Sequence, residues 1–369
     1  MNTRLTIDAI DVSILHVPPR RPIATALGSY DGIRLVVVEV STEQGADGQG
    51  WTTIIGTGNA APAVKAFIEE MYVPFVIGRD VGEFRAIWEE LYRRGMSIGR
   101  KGVAMYALAA LDIALWDCFT RALDVPIHRF LGQAIPSIPV YGAGYWMGDS
   151  IDDLQQEAAD HMAMGLCGVK LKIGGAHRIA DDLARIDAVK EVIDPSSYLL
   201  VDANQSYDPL TAERLAHQLA ERGVFWFEEP LLADSISDYA RLTAKSPIPI
   251  ASGENEYSRY GFRDLIEFRA VDILQPDVHR VGGITEFMRI ATLAETFNMP
   301  LSPHTALELQ TQLGVACNKT TMLEMFDWYG SGFWTEELDL RDGRAYPSSS
   351  AGIGIRIGED ALRDYRVTR

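Results

Sequence analysis

Two rhythms of apolar and polar residues divide the chain. Up to about residue 125 the pattern is mixed: segments 5–17 and 34–40 alternate or run apolar as strands do. Segments 62–72 and 83–94 carry apolar residues at helical spacing, with Ile87, Trp88 and Leu91 as examples. An Ala/Leu-rich helix over 103–123 closes this part and stops at Asp124-Val125-Pro126. Strands followed by helices predict an α+β unit.

From about residue 138 the period shortens. Eight strand-like runs follow one another: PVYGAG, GVKLKIG, SYLLVDAN, VFWFEEP, IPIASGE, DILQPD, MPLSPH and TMLEMF. Amphipathic stretches such as 151–164, 177–192, 211–222, 257–268 and 284–297 separate them. Strands and helices alternating in this way predict an α/β fold of the (β/α)8, or TIM, barrel type.

Most of these strands are apolar until their last residues and then become ionisable. Lys170 and Lys172 lie two apart, so a strand points both to one side. Asp202 and Asn204 repeat that spacing; Glu228, Glu254, Asp277 and His304 end the next four runs, and Glu324 lies in the eighth. Asp202 to Glu228 and Glu228 to Glu254 are each 26 residues, one carboxylate per βα unit. The carboxyl ends of barrel strands are where barrel active sites form, so these groups converge. Taken singly, a Glu beside a proline, a strand Lys or a lone His is ordinarily solvated or structural. Across seven strands, coincidence is a poor explanation.

Three carboxylates facing one point repel unless a cation joins them. Hard oxygen donors with room for water and substrate suit Mg²⁺, with Asp202, Glu228 and Glu254 as ligands. Two neighbouring ammonium groups, Lys170 and Lys172, would lower each other's pKa and leave one as a base. Asp277 is placed to orient His304, giving a Lys and a His from well-separated strands. The set suits removal of the proton next to a carboxylate, whose enolate needs strong electrostatic support. Glu324, if kept protonated, would donate to the remaining oxygen.

Composition narrows the partners. Of 369 residues 47% are apolar, ample for a core, and 51 Asp and Glu outweigh 34 Lys and Arg for a net charge of -17. Such a field repels nucleic acid and anionic membrane surfaces but permits a small anionic substrate bound by a local cation. No apolar run reads as a membrane span, the longest being broken by Asp112, and no signal peptide is visible. Cys118, Cys167 and Cys317 form neither a disulfide framework nor a zinc cluster, so a cytoplasmic address is expected.

At these motifs the chain resembles the enolase superfamily and, within it, the mandelate racemase subgroup. The likeness rests on VKLK (169–172), VDAN (201–204), FEEP (227–230), SGEN (252–255), PDVHRVGGIT (276–285) and SPH (302–304), and extends over nearly the whole chain. It implies a capping domain over 1–125, a modified (β/α)8 barrel over 126–330 and a tail, 331–369, that returns to the cap. It implies Mg²⁺ on Asp202, Glu228 and Glu254, Lys172 and His304 (with Asp277) as acid/base groups, and Lys170 on the substrate carboxylate. Asn204 would touch substrate or its metal-bound carboxylate, and Glu324 would be the electrophilic donor. The residue set implies an acid-sugar dehydratase, a lyase giving a 2-keto-3-deoxy acid, or alternatively a racemase or epimerase of a 2-hydroxy acid. Which of Lys172 and His304 takes the proton first stays open. The family also implies a homo-oligomer.

Specificity is expected in the cap, where loops 20–30 and 51–58 read as lids. Arg20, Arg21, Tyr30 and Trp51 would meet a polar or charged substrate end, Ile23 and Leu27 an apolar one, and Trp146 would add a wall. Gly56-Thr57-Gly58 begins a G-x-G-x-x-A match, but without the βαβ order of a dinucleotide fold. His279 reads as loop filler beside Asp277. A binding or structural protein on the same fold would show an eroded ligand or base, and none is seen.

Overall fold

The computed structural model describes residues 4–56 and 59–367. Thr57 and Gly58, part of the expected lid and of the glycine motif, lie outside the described residues.

Three antiparallel strands form the N-terminal sheet: β1 (Ile7–Val17), β4 (Ile33–Thr42) and β5 (Asp47–Ile54), in the order β1-β4-β5. The short hairpin β2 (Ile23–Thr25) and β3 (Gly28–Tyr30) stands apart from it. The helical segment at 62–72 is less regular than its spacing predicts. An α-helix, Ala61–Ala66, widens into a π-helix, Phe67–Tyr72, before a last turn at Val73–Val76. Pro74 in that turn has no N–H to give the preceding carbonyls, which accounts for the loosened ladder.

The helix Val103–Ala122 is the spine of the molecule. An 18-residue window of it has a mean hydropathy of 1.5, enough in length and composition to cross a membrane, yet 83% of that window is buried inside the protein. It packs on β5 at Gly48 and Gly50, which share one face of the strand. A Cβ on Gly50 would stand 2.3 Å from the Ala114 nitrogen and 2.4 Å from the Ala110 oxygen, so only glycine allows this approach. The other side reaches the barrel: Trp116 Nε1 donates to Thr285 Oγ1 (2.9 Å), and Asp112 accepts from the Thr285 N–H (2.9 Å) and hydroxyl (2.7 Å).

The barrel strands are β6 (Ile138–Ala143), β7 (Gly168–Lys172), β8 (Tyr198–Asp202), β9 (Trp226–Glu228), β10 (Ile250–Ser252), β11 (Ile273–Leu274) and β12 (Leu323–Met325). Successive strands from β6 to β11 pair in parallel, and β12 closes on β6. The seventh of the eight expected runs contributes only Leu301, bridged to Leu274 on one side and Thr320 on the other. After β12 no barrel helix follows among the described residues. Instead the hairpin β13 (Asp339–Arg341) and β14 (Arg344–Tyr346) pairs antiparallel with β6. The chain then runs to the first sheet, where the Ile357 N–H donates to Gln49 Oε1 (2.8 Å) and the Val367 N–H to the Ile14 carbonyl (2.8 Å).

Candidate active site

Register builds the site. Lys172 on β7 is the cross-strand partner of Asp202 on β8, which in turn faces Glu228 on β9. One row of side chains therefore crosses three strands, and Glu254 joins it three residues beyond the β9 partner Ala251. Ligand oxygens of Asp202, Glu228 and Glu254 lie within 4.8 Å of one another, all buried. Glu254 Oε2 makes no hydrogen bond of good geometry, nor does the buried Asn204 Oδ1. Three converging carboxylates with an unspent oxygen, in a dry setting, fit a hard divalent cation such as magnesium.

Each of the two lysines is paired with carboxylates of the site. Lys170 Nζ donates to Glu228 Oε1 and stands equally close to Glu324 Oε1, both at 2.6 Å. Lys172 is hydrogen-bonded to Asp202. Burial alone would lower both pKa values, but the surrounding carboxylates raise them, and this outweighs the repulsion between the pair.

At Glu324, burial pushes the carboxyl up, but Lys170 and His304 bring it below the ordinary range. It also accepts the Thr305 N–H at 3.0 Å. Burial takes Glu228 up to about 7 against the pull of Lys170. Glu254 goes the other way: despite burial, His304 and Arg280 hold it at about 2.

His304 lies between Asp277 and the triad. Its Nδ1 is 2.9 Å from Asp277 Oδ2 and its Nε2 is 3.2 Å from Glu254 Oε2. Burial opposes its charged form, but Glu254 and Asp277 raise its pKa overall. Asn204, in the left-handed region at φ 41°, folds back on Asp202 through its backbone N–H (2.8 Å) and amide (3.1 Å).

Four groups escaped the sequence reading. Gln275 donates to Glu228 Oε2 at 2.7 Å; it stands two before Asp277, a same-side spacing that would have flagged it. Arg280 donates to Glu254 Oε1 (3.1 Å) and reaches Asp277 (3.4 Å). Glu229, fully buried at φ 39°, accepts from Asn255 (2.7 Å), so the Glu-Glu-Pro turn is not solvated at all. Glu308 follows His304 by four residues, at the start of the helix Leu307–Gly314, and is buried. His279, read as loop filler, is buried, and neither ring nitrogen has a hydrogen-bond partner.

A cleft of about 720 Å³ opens beside the site and meets it at Glu324. Arg20, Arg21, Ile23 and Trp146 line it, whereas the exposed Leu27 does not. Arg21 is paired with Glu157 and Asp149. Trp146 stacks on Phe326 (5.7 Å), which stacks on Trp328 (4.3 Å). Two expected contacts fall elsewhere. Trp51 is wholly buried against Trp334 (5.2 Å), with only its N–H directed at Glu308 (3.4 Å), and the Tyr30 hydroxyl is bonded to Thr25 (3.0 Å).

Residues 9–132 match the mandelate racemase / muconate lactonizing enzyme N-terminal domain, and 153–361 match the enolase C-terminal domain-like family. The chain belongs to the enolase superfamily, in its mandelate racemase / muconate lactonizing enzyme group. Relatives of this group include the L-talarate/galactarate dehydratase of Salmonella typhimurium LT2, 31% identical over 98% of this chain and 92% of that protein. The D-galactarolactone cycloisomerase of Agrobacterium fabrum is 32% identical over 98% of this chain and 99% of its own length. In structure, the Salmonella dehydratase with Mg and L-lyxarohydroxamate superposes at a TM-score of 0.91, covering 99% of this chain and 94% of that one. A racemase from Streptomyces coelicolor with bound magnesium, 28% identical, gives 0.93 over 98% of this chain and all of that one.

Proposed function

We propose that this magnesium-dependent enolase-superfamily enzyme dehydrates an acid sugar. The α-proton leaves, the β-hydroxyl is expelled as water, and tautomerisation yields a 2-keto-3-deoxy acid. One observation carries the reading: the two acid/base side chains sit on different members of one carboxylate triad, Lys172 on Asp202 and His304 on Glu254. A substrate bound there has a proton-transfer group on either side of its α-carbon.

Asp202, Glu228 and Glu254 would hold magnesium, which would supply positive charge to stabilise an enolate formed from the substrate carboxylate. Lys172 takes the α-proton once the triad no longer needs its charge. His304, kept protonated by Asp277, gives its Nε2 proton to the departing hydroxyl. Lys170, held by Glu228 and Glu324, adds a buried cation on the carboxylate side. Asn204 keeps its unspent Oδ1 for a substrate hydroxyl. Dehydratases among the relatives support elimination over racemisation.

The test is incubation with Mg²⁺ in D₂O against pooled aldonates, aldarates and aromatic 2-hydroxy acids, followed by NMR. A 2-keto-3-deoxy product is expected. Deuterium at the α-carbon in both configurations, without water loss, would make it a racemase instead. Lys172→Ala and His304→Ala should each lower turnover by several orders of magnitude, on the order of a missing general acid or base plus its charge. The variant that still exchanges the α-proton retains the base.

A further inference from the structure

The cleft that leads away from the catalytic groups has a one-sided charge. Eight carboxylates line it against two guanidinium groups. Both guanidiniums already have partners: Arg20 has Asp327 (2.6 Å) and the Tyr329 carbonyl (3.0 Å), and Arg21 has Glu157 and Asp149. Glu324 is balanced by Lys170. Among the described residues lining the cleft, no cation is left over to receive a second substrate carboxylate.

Glu308 sharpens the point. It is 5% exposed, lines the same cleft as Glu324, and is held on one oxygen by the Trp51 indole N–H at 3.4 Å. No basic side chain pairs with it among the described residues. A carboxyl in that position repels an anion and offers acceptor oxygens to a hydroxyl. Burial raises Glu308 to about 7, so near neutrality it is divided between an ionised form that repels an anion and a protonated form that donates to hydroxyl oxygens.

We propose that the site selects monocarboxylates: a polyhydroxy acid whose single carboxylate goes to the triad and whose uncharged, hydroxylated end lies against Glu308. The proposal rests on the dehydratase reading and names its substrate class as aldonates rather than aldarates. It sets this chain apart from the Salmonella L-talarate/galactarate dehydratase, which is named for diacids.

The experiment compares kcat/KM for aldonates and aldarates of matched configuration, with α-proton exchange in D₂O followed in parallel. The expected result is turnover of an aldonate with kcat/KM roughly 10- to 100-fold above that of its aldarate, whose second carboxylate finds carboxyl groups and no unpaired cation in the cleft. In Glu308→Gln the ratio should shrink by about tenfold, through a gain on the aldarate and a higher KM on the aldonate. A merely structural role for Glu308 would lower both activities and leave the ratio alone, which would overturn its part in selection. An aldarate used as well as or better than every aldonate by the unaltered enzyme would overturn the substrate class while leaving dehydration intact. Absence of α-proton exchange with every acid of both classes would overturn the dehydratase reading and this inference with it.

Discussion

Asp277 and His304 are 27 residues apart in the chain, yet Asp277 Oδ2 stands 2.9 Å from His304 Nδ1 and so turns Nε2 toward Glu254. The pairing specifies which nitrogen faces the carboxylate triad and supports the imidazolium against burial. Despite burial, its bond to His304 holds the Asp277 carboxyl at about 2, so it stays an anion throughout the neutral range.

Asp277→Asn keeps the volume and removes that charge. We expect kcat to fall by roughly 10²- to 10⁴-fold, as for other orienting carboxylates behind a catalytic histidine. Magnesium affinity, measured by calorimetry, should change little. A parallel loss of metal binding would show that Asp277 acts by holding the triad together instead.

Glu254→Gln removes one of three anionic ligands. Magnesium affinity should drop by at least about tenfold and turnover should vanish. A readout independent of activity is thermal: magnesium should raise the melting temperature of the unaltered protein by ligand linkage, and that increment should shrink in the variant. Full activity after exhaustive chelation would end the metal assignment.

Gly50→Ala tests the seat of the long helix. The new Cβ meets backbone atoms of Ala114 and Ala110 that no side-chain rotation can move. Overpacking of this kind costs about 1–3 kcal/mol or more, to be read from urea unfolding. Unchanged stability would mean that the helix Val103–Ala122 shifts off the sheet at no cost.

Asp112 makes stability depend on pH. Burial drives its carboxyl from 3.8 up to about 7, against hydrogen bonds from Thr285. Between those values the folded state keeps a proton that the unfolded chain has released, so this group lowers stability as pH rises from about 4 to 7. Above about 7 its contribution levels off. Asp112→Asn should flatten that part of the profile in urea titrations at stepped pH; an identical slope would assign the dependence to other carboxyls.

The order of strands and helices, and the polar residues that end the strands, were legible because both are periodic in the chain. Lys170 and Lys172, Asp202 and Asn204, and the 26-residue steps through Glu228 to Glu254 follow from strand alternation and the βα repeat. What alternation cannot say is what lies opposite. Gln275 and Arg280 complete the triad's hydrogen bonds, and Glu229 is buried against Asn255, only through register between strands far apart in sequence.

Protonation and exposure were likewise decided in three dimensions. The sequence supplied the two lysines and Glu324, and their ion-pair partners came from contacts formed across the barrel. Trp51 has the composition of a lid contact, but the tail returning at Trp334 buries it. Replacement of the eighth helix by that tail leaves the acidic cleft beside Glu324, with Glu308 on its wall. Residue chemistry at the strand ends is written locally; which groups share a dry volume, and so hold or lose their protons, is a property of the closed barrel alone.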